Sequence, residues 1–445
     1  MGETTAPRRP GRLRQLALDT RPLSVPAYRR TLAGQAASFV GTMVTEVAVP
    51  VQIYSDSHSS LYVGLAGLAG LVPITVFGLY GGAIADAVDR RRLSLWSSLV
   101  TWLVTIALLT QTLLNVRSVG LILALVVVQS GGFAVSSSTR GAIIPSIVPK
   151  PLIPAANTLS YTSSNAGQIL GPLVAGVLVG LPHGFAYAYG ADALLFSAAL
   201  YSTFRLPPLP PAGAAGRAGL RAVAEGIAFI GRKPILLMSY VLDIAAMTLA
   251  MPRALFPEAA AVRFHGGVGL LYSSIAIGSI LAGLCSGWIG RVRRQGIALV
   301  GAVACWAAAV CAAGLARSLW LAVVLLAVAG AADLVSVVYR QTILQTYAPE
   351  EMRGRMQGVF TVVVTGGPRL GDLRAGTMAA ATGLTVAWSG SAAACFGVVL
   401  IAGFSVRSFW RYQATPAAGP DEGTEPDEGT AKGKPQAEDS RQRSQ

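Results

Sequence analysis

The sequence predicts an all-α integral membrane protein, with twelve transmembrane helices arranged as two pseudo-symmetric six-helix bundles. Three observations support this fold class. The composition is that of a protein surrounded by lipid, twelve apolar runs are long enough to cross a bilayer, and the second half of the chain repeats the first. Together they predict that the functional site lies within the membrane.

The composition excludes an ordinary soluble protein. Of the 445 residues, 53% are hydrophobic and only 13% are charged, whereas soluble domains carry about 25% charged residues. The formal net charge of +14 is not a nucleic-acid signal, because the basic residues lie in short breaks between apolar runs. The four cysteines stand singly in apolar segments, so we expect no disulfide, bound metal or other cofactor.

Twelve apolar runs have the roughly 20 residues that a spanning helix needs. They lie near residues 31–54, 61–85, 93–115, 118–144, 157–180, 187–205, 234–256, 267–290, 296–315, 318–345, 355–381 and 384–406. An even number of spans places both chain termini on the same side of the membrane. The polar start of the chain lacks an apolar core, so we expect no cleavable signal peptide.

The breaks between the runs divide the chain into five parts. We predict a cytoplasmic N-terminal tail at 1–30, an N-terminal six-helix bundle at 31–205, a cytoplasmic linker at 206–233, a C-terminal six-helix bundle at 234–411 and a disordered cytoplasmic tail at 412–445. Apolar residues at helical spacing in the linker predict an amphipathic helix on the membrane face. The last part is rich in proline, glycine and acidic residues, which is typical of disorder.

Arginine and lysine are concentrated in alternate loops. One set of loops contains basic clusters such as 90–92 and 291–294, whereas the opposite set contains only Arg117, Arg263 and Arg317. The positive-inside rule therefore predicts that both termini face the cytoplasm. Scarce lysine beside abundant arginine, alanine and glycine suggests a GC-rich bacterial genome, so we expect the plasma membrane of a bacterium.

The two halves of the chain align on each other. A shift of 200 residues superposes Arg140 on Arg340. A shift of 202 residues superposes Pro50 on Pro252. Such halves are parallel repeats, and transporters built from them bind the substrate between the halves near the bilayer midplane. The repeat therefore predicts a transporter of small molecules.

Ionisable residues inside the spans mark the candidate pathway. A charge at the bilayer centre costs about 2.5–3.5 kcal/mol on insertion scales, so it should face a cavity or a partner. The candidates for the substrate and proton pathway are Glu46, Arg140, Asp192, Asp243, Asp333, Arg340, Arg369, Asp372 and Arg374. Any single residue of this set can instead belong to an internal ion pair that holds two helices in register, but the number of charges favours a polar lumen.

Two of these carboxyls are the first candidates for carrying protons. Glu46 and Asp243 have no basic residue three or four positions away on their own helices, and a buried carboxyl without a cation favours its protonated form. Arg140 and Arg340 suggest that the substrate or its counter-charge is anionic. Arg253, near the outer end of its helix, can alternatively extend to the interface.

The loop between the second and third spans resembles the signature of the major facilitator superfamily. That signature has a glycine, an aspartate four residues later and then a basic cluster. The matching residues here are Gly82, Asp86, Asp89, Arg90, Arg91 and Arg92. The resemblance implies gating roles for Asp86 and the arginines. The family usually has a basic residue directly after this aspartate, where this chain has Ala87.

The fifth span resembles the antiporter signature of the same superfamily, a Gly-x-x-x-Gly-Pro helix. Its residues are Gly167, Gly171, Pro172 and Gly176. Other stretches, including 47–52 and 366–372, look closest to the enterobactin exporter branch. The resemblance implies the major facilitator fold in a monomer, and a secondary active transporter that exports a siderophore or similar small molecule by proton-coupled alternating access.

Two alternatives stay open. A multidrug or antibiotic efflux transporter would have the same fold and a different cargo. A membrane protein that is not a transporter is the other alternative. The sequence has no Gly-x-x-x-x-Gly-Lys-Ser/Thr phosphate loop, no His-Glu-x-x-His metal helix and only three histidines, so we expect no enzyme.

Overall fold

Helices dominate the structure, a computed structural model that describes residues 19–207, 220–347 and 353–405. Lipid favours helices, because each backbone N–H and C=O in a bilayer must be hydrogen-bonded within the protein. The first half of the chain forms six long helices: α1 (Pro26–Ser57), α2 (Ser60–Ala87), α3 (Arg90–Leu113), α4 (Val119–Ile147), α5 (Ile153–Val179) and α6 (Gly184–Phe204). Short 3-10 turns precede α1 and α5, at Arg21–Ser24 and Lys150–Leu152.

The second half begins with a linker helix, α7 (Leu220–Gly231). A broken span follows, which consists of α8 (Pro234–Leu249) and the helical turns Arg253–Leu255, Phe256–Glu258 and Ala259–Arg263. The other spans are α9 (Val268–Leu284), α10 (Gln295–Leu315), α11 (Leu319–Tyr347), α12 (Arg353–Thr382) and α13 (Ser391–Ser405). A 3-10 turn at Ser286–Arg291 follows α9, and a π-helical turn at Val386–Gly390 precedes α13.

The predicted fold class is confirmed, because each of the twelve apolar runs has a helix at its position. Eight segments of the described chain have both the length and the apolar composition to cross a membrane, and α9 is apolar but shorter. The seventh run differs from the expectation. It was expected to end near 256 as one continuous helix, but it breaks after Leu249 and its helical turns extend to Arg263.

The division into five parts stays a prediction, although several of its boundaries can be compared with the helices. The first helix begins at Pro26, inside the predicted tail 1–30, and residues 1–18 lie outside the described chain. The amphipathic helix expected in the linker 206–233 is present as α7, whereas residues 208–219 of that linker are not described. The predicted tail 412–445 lies entirely outside the described residues.

The two halves meet closely at one end of the bundle. Gly176 of α5 and Gly269 of α9 touch through their backbones, and a Cβ added at Gly176 would lie 2.8 Å from the Gly269 Cα atom. A Cβ added at Gly376 of α12 would lie 3.1 Å from the Cα atom of Gly64 in α2. Helices in membranes approach this closely where small residues face each other. We call this region, which also includes Ser60, the closed end.

Polar contacts add to the glycine contacts at the closed end. The Ser60 hydroxyl at the start of α2 donates a hydrogen bond to the Glu258 carboxylate of the broken span. The Ser273 hydroxyl of α9 donates to the Ile169 carbonyl of α5 at 3.2 Å. Toward the other end, a space of about 760 Å³ is lined, among the described residues, by the first half alone, including Gln35, Ser137 and Ser163. The halves are therefore joined at one end.

The break in the seventh span is filled by an arginine from another helix. Pro252 has no N–H to donate, and the carbonyls beside the break need other partners. The Arg374 guanidinium of α12 donates to the carbonyls of Thr248 at 2.9 Å, Ala387 at 3.1 Å and Met251 at 3.4 Å. It takes the place that backbone N–H groups would have in a continuous helix.

We predict that Arg374→Met lowers the free energy of unfolding by about 2–5 kcal/mol, because each buried carbonyl left without a donor costs about 1–3 kcal/mol and some can relax. Thermal unfolding in detergent measures this loss. Arg232→Met, at an exposed arginine after the linker helix, is the control and should leave the melting temperature unchanged. Equal melting temperatures for the two variants would contradict the assignment.

We also predict that Gly176→Leu prevents the closed end from forming. Overpacking costs about 1–3 kcal/mol, which shifts the equilibrium away from the closed form by about fivefold to more than a hundredfold. The control is Gly190→Leu, because a Cβ at Gly190 has no atom within 4 Å.

The measurement is cysteine labelling of Thr42→Cys in a protein whose native cysteines are replaced. Thr42 lies on α1 and lines a cavity between the two halves. A membrane-impermeant maleimide is applied to each membrane face in turn. Gly176→Leu should raise labelling from the face at the closed end about tenfold, and Gly190→Leu should not. Equal labelling of both variants would show that the glycine contact does not close this end.

Candidate functional site

A cavity with polar and charged lining residues lies between the two halves, where the repeat predicts the site. Its empty volume is about 860 Å³. Residues of α1, α2, α3 and α4 line it from the first half, and residues of the broken span, α9 and α12 line it from the second. The polar and charged lining residues are Thr42, Thr45, Glu46, Thr101, Gln129, Ser130, Arg253, Tyr272, Arg369 and Asp372. Transporters built from two repeats bind small molecules between their halves, so this cavity is the candidate substrate site.

Glu46 links the two halves across this cavity. Its carboxylate lies 3.2 Å from the Arg253 guanidinium and 3.5 Å from that of Arg369. The carboxylate belongs to the first half, and both arginines belong to the second. The three side chains are 27–36% exposed, so their hydrogen-bonding atoms remain accessible to a molecule in the cavity.

Asp372 and Tyr272 complete this cluster. Asp372 is close enough to interact with the charges of Arg253 and Arg369, and its Oδ1 atom has no hydrogen-bond partner among the described residues. The Arg253 guanidinium lies 5.7 Å from the centre of the Tyr272 ring, and the Tyr272 hydroxyl donates to the Arg253 carbonyl at 3.0 Å. Two arginines and two carboxylates give the ionised cluster a net charge of zero.

The contacts of these residues go beyond what spacing along one helix indicates. Glu46 has no basic residue three or four positions away on α1, as the sequence indicated, but it pairs with arginines from two other elements. Arg253 was expected to be able to extend to the interface, but it pairs with Glu46 in the cavity. Arg369 and Asp372 share a helix face, yet no ion pair within 4 Å joins them in the described structure; Arg369 contacts Glu46 instead.

A second ion pair is buried within the second half. Arg340 of α11 is 5% exposed and forms an ion pair with Asp243 of α8. Its guanidinium is also 3.9 Å from the Asp333 carboxylate. Asp243 has no basic residue three or four positions away on α8, as the sequence indicated, but α11 provides Arg340 as its partner. Asp333 lies seven residues before Arg340 on α11, and the arginine side chain is long enough to reach back across the two turns.

Asp192 of α6 has a different environment. It is 1% exposed and accepts hydrogen bonds from the hydroxyls of Thr45 at 2.6 Å and Thr105 at 3.2 Å. Both bonds go to Oδ2, and Oδ1 has no partner in the described part of the chain. Neutral hydroxyls, rather than guanidinium groups, hold this carboxyl.

The two remaining pathway candidates, Arg140 and Arg374, differ in what the structure describes. Arg374 donates to two backbone carbonyls at the break in the seventh span and to the Ala387 carbonyl before α13, which is a structural use of its guanidinium. The backbone of Arg140 lies in α4, but its side chain lies outside the described structure. Its pairing with Arg340 in the repeat therefore stays a prediction for the site.

The predicted gating loop is partly described. Asp89 begins α3, and its carboxylate accepts from the backbone N–H groups of Arg91 at 2.8 Å and Arg92 at 3.2 Å. The Arg91 guanidinium donates to the Phe204 carbonyl at 2.6 Å, which ties α3 to the end of α6 in the same half. The surroundings of Gly82 and the side chain of Asp86 lie outside the described structure, and the gating roles of all the residues of this loop stay predictions.

The antiporter-like helix packs first on α1 and then on the second half. Cβ atoms added at Gly167 and Gly171 would collide with Phe39 and Met43 of α1. One turn later, Gly269 of α9 lies against the Pro172 carbonyl and Gly176. The small residues of this motif therefore lie where α5 contacts its neighbours most closely.

Three site residues were missed by the sequence interpretation: Thr45, Thr105 and Tyr272. Arg253 was considered there, with a position at the interface as its alternative. The two threonines gave no signal, since their importance depends on a carboxylate from a helix 87 to 147 residues away.

Known proteins agree with this architecture. The family described as "Transmembrane secretion effector" matches residues 19–418. The enterobactin exporter EntS of Citrobacter koseri is 28% identical over 384 residues, which cover 84% of this chain and 90% of that protein.

Two solved structures show the same fold at low sequence identity. A mutant form of the nucleoside transporter NupG is 12% identical, with a TM-score of 0.69 that covers 86% of this chain and all of the other. A bacterial homologue of the human lysosomal transporter Spinster, inward-facing and unoccupied, is 18% identical, with a TM-score of 0.67 and coverages of 89% and 100%. The chain therefore belongs to the transmembrane secretion effector family, and it is a multi-span transporter of the major facilitator superfamily rather than an enzyme.

Proposed function

We propose that this protein exports a small anionic molecule, a siderophore first of all, across the bacterial plasma membrane by proton-coupled alternating access. The observation that carries this proposal is the pair of arginines, Arg253 and Arg369, that face the cavity with Glu46 between them. Its similarity to enterobactin exporters supports the cargo class. One chain forms the whole cavity, so the proposed working unit is a monomer.

The distribution of basic residues supports the proposed direction. In the proposed orientation, both termini and the basic loops face the cytoplasm. Ser60, which follows the first span, and Gly269, which begins the eighth, then lie toward the outside. The closed end becomes the outer gate, and the described state is ready to receive cargo from the cytoplasm.

Cargo binding and opening are coupled through Glu46 in this proposal. Arginine binds planar, oxygen-rich anions through two parallel N–H donors. A carboxylate, catecholate or hydroxamate in the cavity competes with Glu46 for these donors. When the cargo displaces Glu46, it also removes a link between the two halves. A ligand shifts a conformational equilibrium only through such differential contacts.

We predict that Arg253→Gln and Arg369→Gln each weaken binding of an iron-free catecholate siderophore by at least about tenfold, because a charge-assisted hydrogen bond contributes about 1.5–3 kcal/mol. Glu46→Gln should strengthen binding several-fold, since it removes the competing carboxylate. Isothermal titration calorimetry on the purified protein measures these affinities.

The control for the arginine variants is Arg317→Gln, in the short loop before α11. Melting temperatures establish that each variant is folded. Unchanged affinity in both cavity variants would overturn the arginine site.

An export assay in cells distinguishes the siderophore from the main alternative cargo, an antibiotic or other drug. The apolar part of the cavity lining, including Val49, Val63 and Phe133, could accommodate such a molecule. A deletion strain that releases less siderophore and keeps its drug susceptibility supports the proposal. Unchanged siderophore release with increased drug susceptibility favours the alternative.

A further inference from the structure

We propose that Asp192 is the proton-binding carboxyl of this transporter, and that the Thr45 hydroxyl connects it to the central cavity. The inference rests on the proposed proton-coupled export and identifies where the coupling ion binds. It differs from the expectation from the sequence, which favoured Glu46 and Asp243 as proton carriers.

Asp192 is buried where α6 packs against α1 and α3. Only 1% of its surface is exposed. Both hydrogen bonds from Thr45 and Thr105 go to Oδ2, which leaves Oδ1 buried without a partner among the described residues. Gly41 of α1 makes room for this oxygen, because a Cβ at Gly41 would collide with Oδ1.

The other four carboxyls of the predicted pathway each lie near at least one arginine. Glu46 pairs with two arginines, while Asp243 and Asp333 lie beside Arg340. Asp372 interacts with the charges of Arg253 and Arg369. A carboxylate beside a guanidinium holds a proton weakly, whereas one surrounded by hydroxyls and apolar groups favours the neutral acid. Asp192 is the member of this set without an arginine.

The helices packed against α6 bring no charge to Asp192. In the described structure, none of their ionisable side chains forms a hydrogen bond or an ion pair with it. These side chains are Tyr28, Arg29, Arg30, Glu46, Tyr54 and Asp56 on α1, Arg90, Arg91 and Arg92 on α3, and Tyr161 on α5. On α6 itself, Tyr189 lies one turn away, and its hydroxyl donates to Gln52 at 2.7 Å.

A path from water to Asp192 runs through Thr45. This residue lines the cavity and donates to Asp192 Oδ2 at 2.6 Å. A hydroxyl can accept one hydrogen bond while it donates another, so Thr45 can pass a proton between cavity water and the carboxyl. In the forward step, the Thr45 hydroxyl gives its proton to the carboxylate while a hydronium ion in the cavity gives one to the Thr45 oxygen, so an O–H bond forms on Asp192, the Thr45 hydroxyl is restored and a neutral water remains. The reverse step returns the proton to water on the other face.

The first test separates proton coupling from cargo binding in proteoliposomes. Asp192→Asn should keep siderophore affinity within about twofold of the wild type and retain exchange without a pH gradient. Transport driven by a pH gradient should fall at least about tenfold. Undiminished gradient-driven transport in Asp192→Asn would overturn the proposal.

Thr45 provides a matched pair of variants. Thr45→Ser keeps the hydroxyl and should retain gradient-driven transport, whereas Thr45→Val removes it and should slow that transport about tenfold. Valine matches threonine in size and shape, so a loss in Thr45→Val reports the hydroxyl rather than packing, and Thr45→Ser tests whether the hydroxyl suffices without the methyl group. Equal rates for Thr45→Ser and Thr45→Val would exclude the relay through Thr45.

A second readout does not depend on the cargo. Infrared difference spectra of the purified wild type on acidification should contain the C=O band of a carboxyl that becomes protonated, and Asp192→Asn should lack it. A band that persists in Asp192→Asn would overturn the proposal. If the band disappears in the variant but the wild type binds no siderophore, the proton site stands and the proposed cargo fails.

Discussion

Lipid offers no hydrogen-bond partner, and this constraint determines most of what the structure does with its polar groups. The backbone satisfies it by forming helices. Where a helix breaks, at residues 250–252, the Arg374 guanidinium replaces the missing donors. Where charges enter the interior, Glu46 and Arg340 have partners from other helices. Polar groups therefore concentrate in the centre of the bundle, and the cavity forms around them.

The proline that occupies equivalent positions in the two halves has a different effect in each. Pro50 lies inside the continuous helix α1, whereas its repeat partner Pro252 lies at the break of the seventh span. The break brings Arg253 into the cavity, and the Phe256 ring packs against Trp388 with centroids 5.4 Å apart to hold the following turn. Departure from strict symmetry thus provides the second half with an arginine to pair with Glu46 of the first.

The fold was predictable from the sequence because each spanning helix is encoded locally, by a run of apolar residues. The repeat likewise predicted a site between the halves. The pairing of the charges was not predictable in this way. Arg253 and Arg369 lie 207 and 323 residues from Glu46, so no spacing within one helix indicates either contact. The same reason explains why the partner of Asp243, on another helix, and the threonines around Asp192 were missed.

The contact of Gly176 with Gly269 affects the free energy needed to separate the two halves at the closed end. Because neither residue has a side chain, parting the two helices bares peptide backbone and hydroxyl groups, such as that of Ser273, which water can hydrate. Large apolar side chains in the same place would resist hydration when the gate opens. A contact of this kind packs tightly in the closed form, and its separation exposes little apolar surface. The closed and open conformations of this end therefore stay close in free energy.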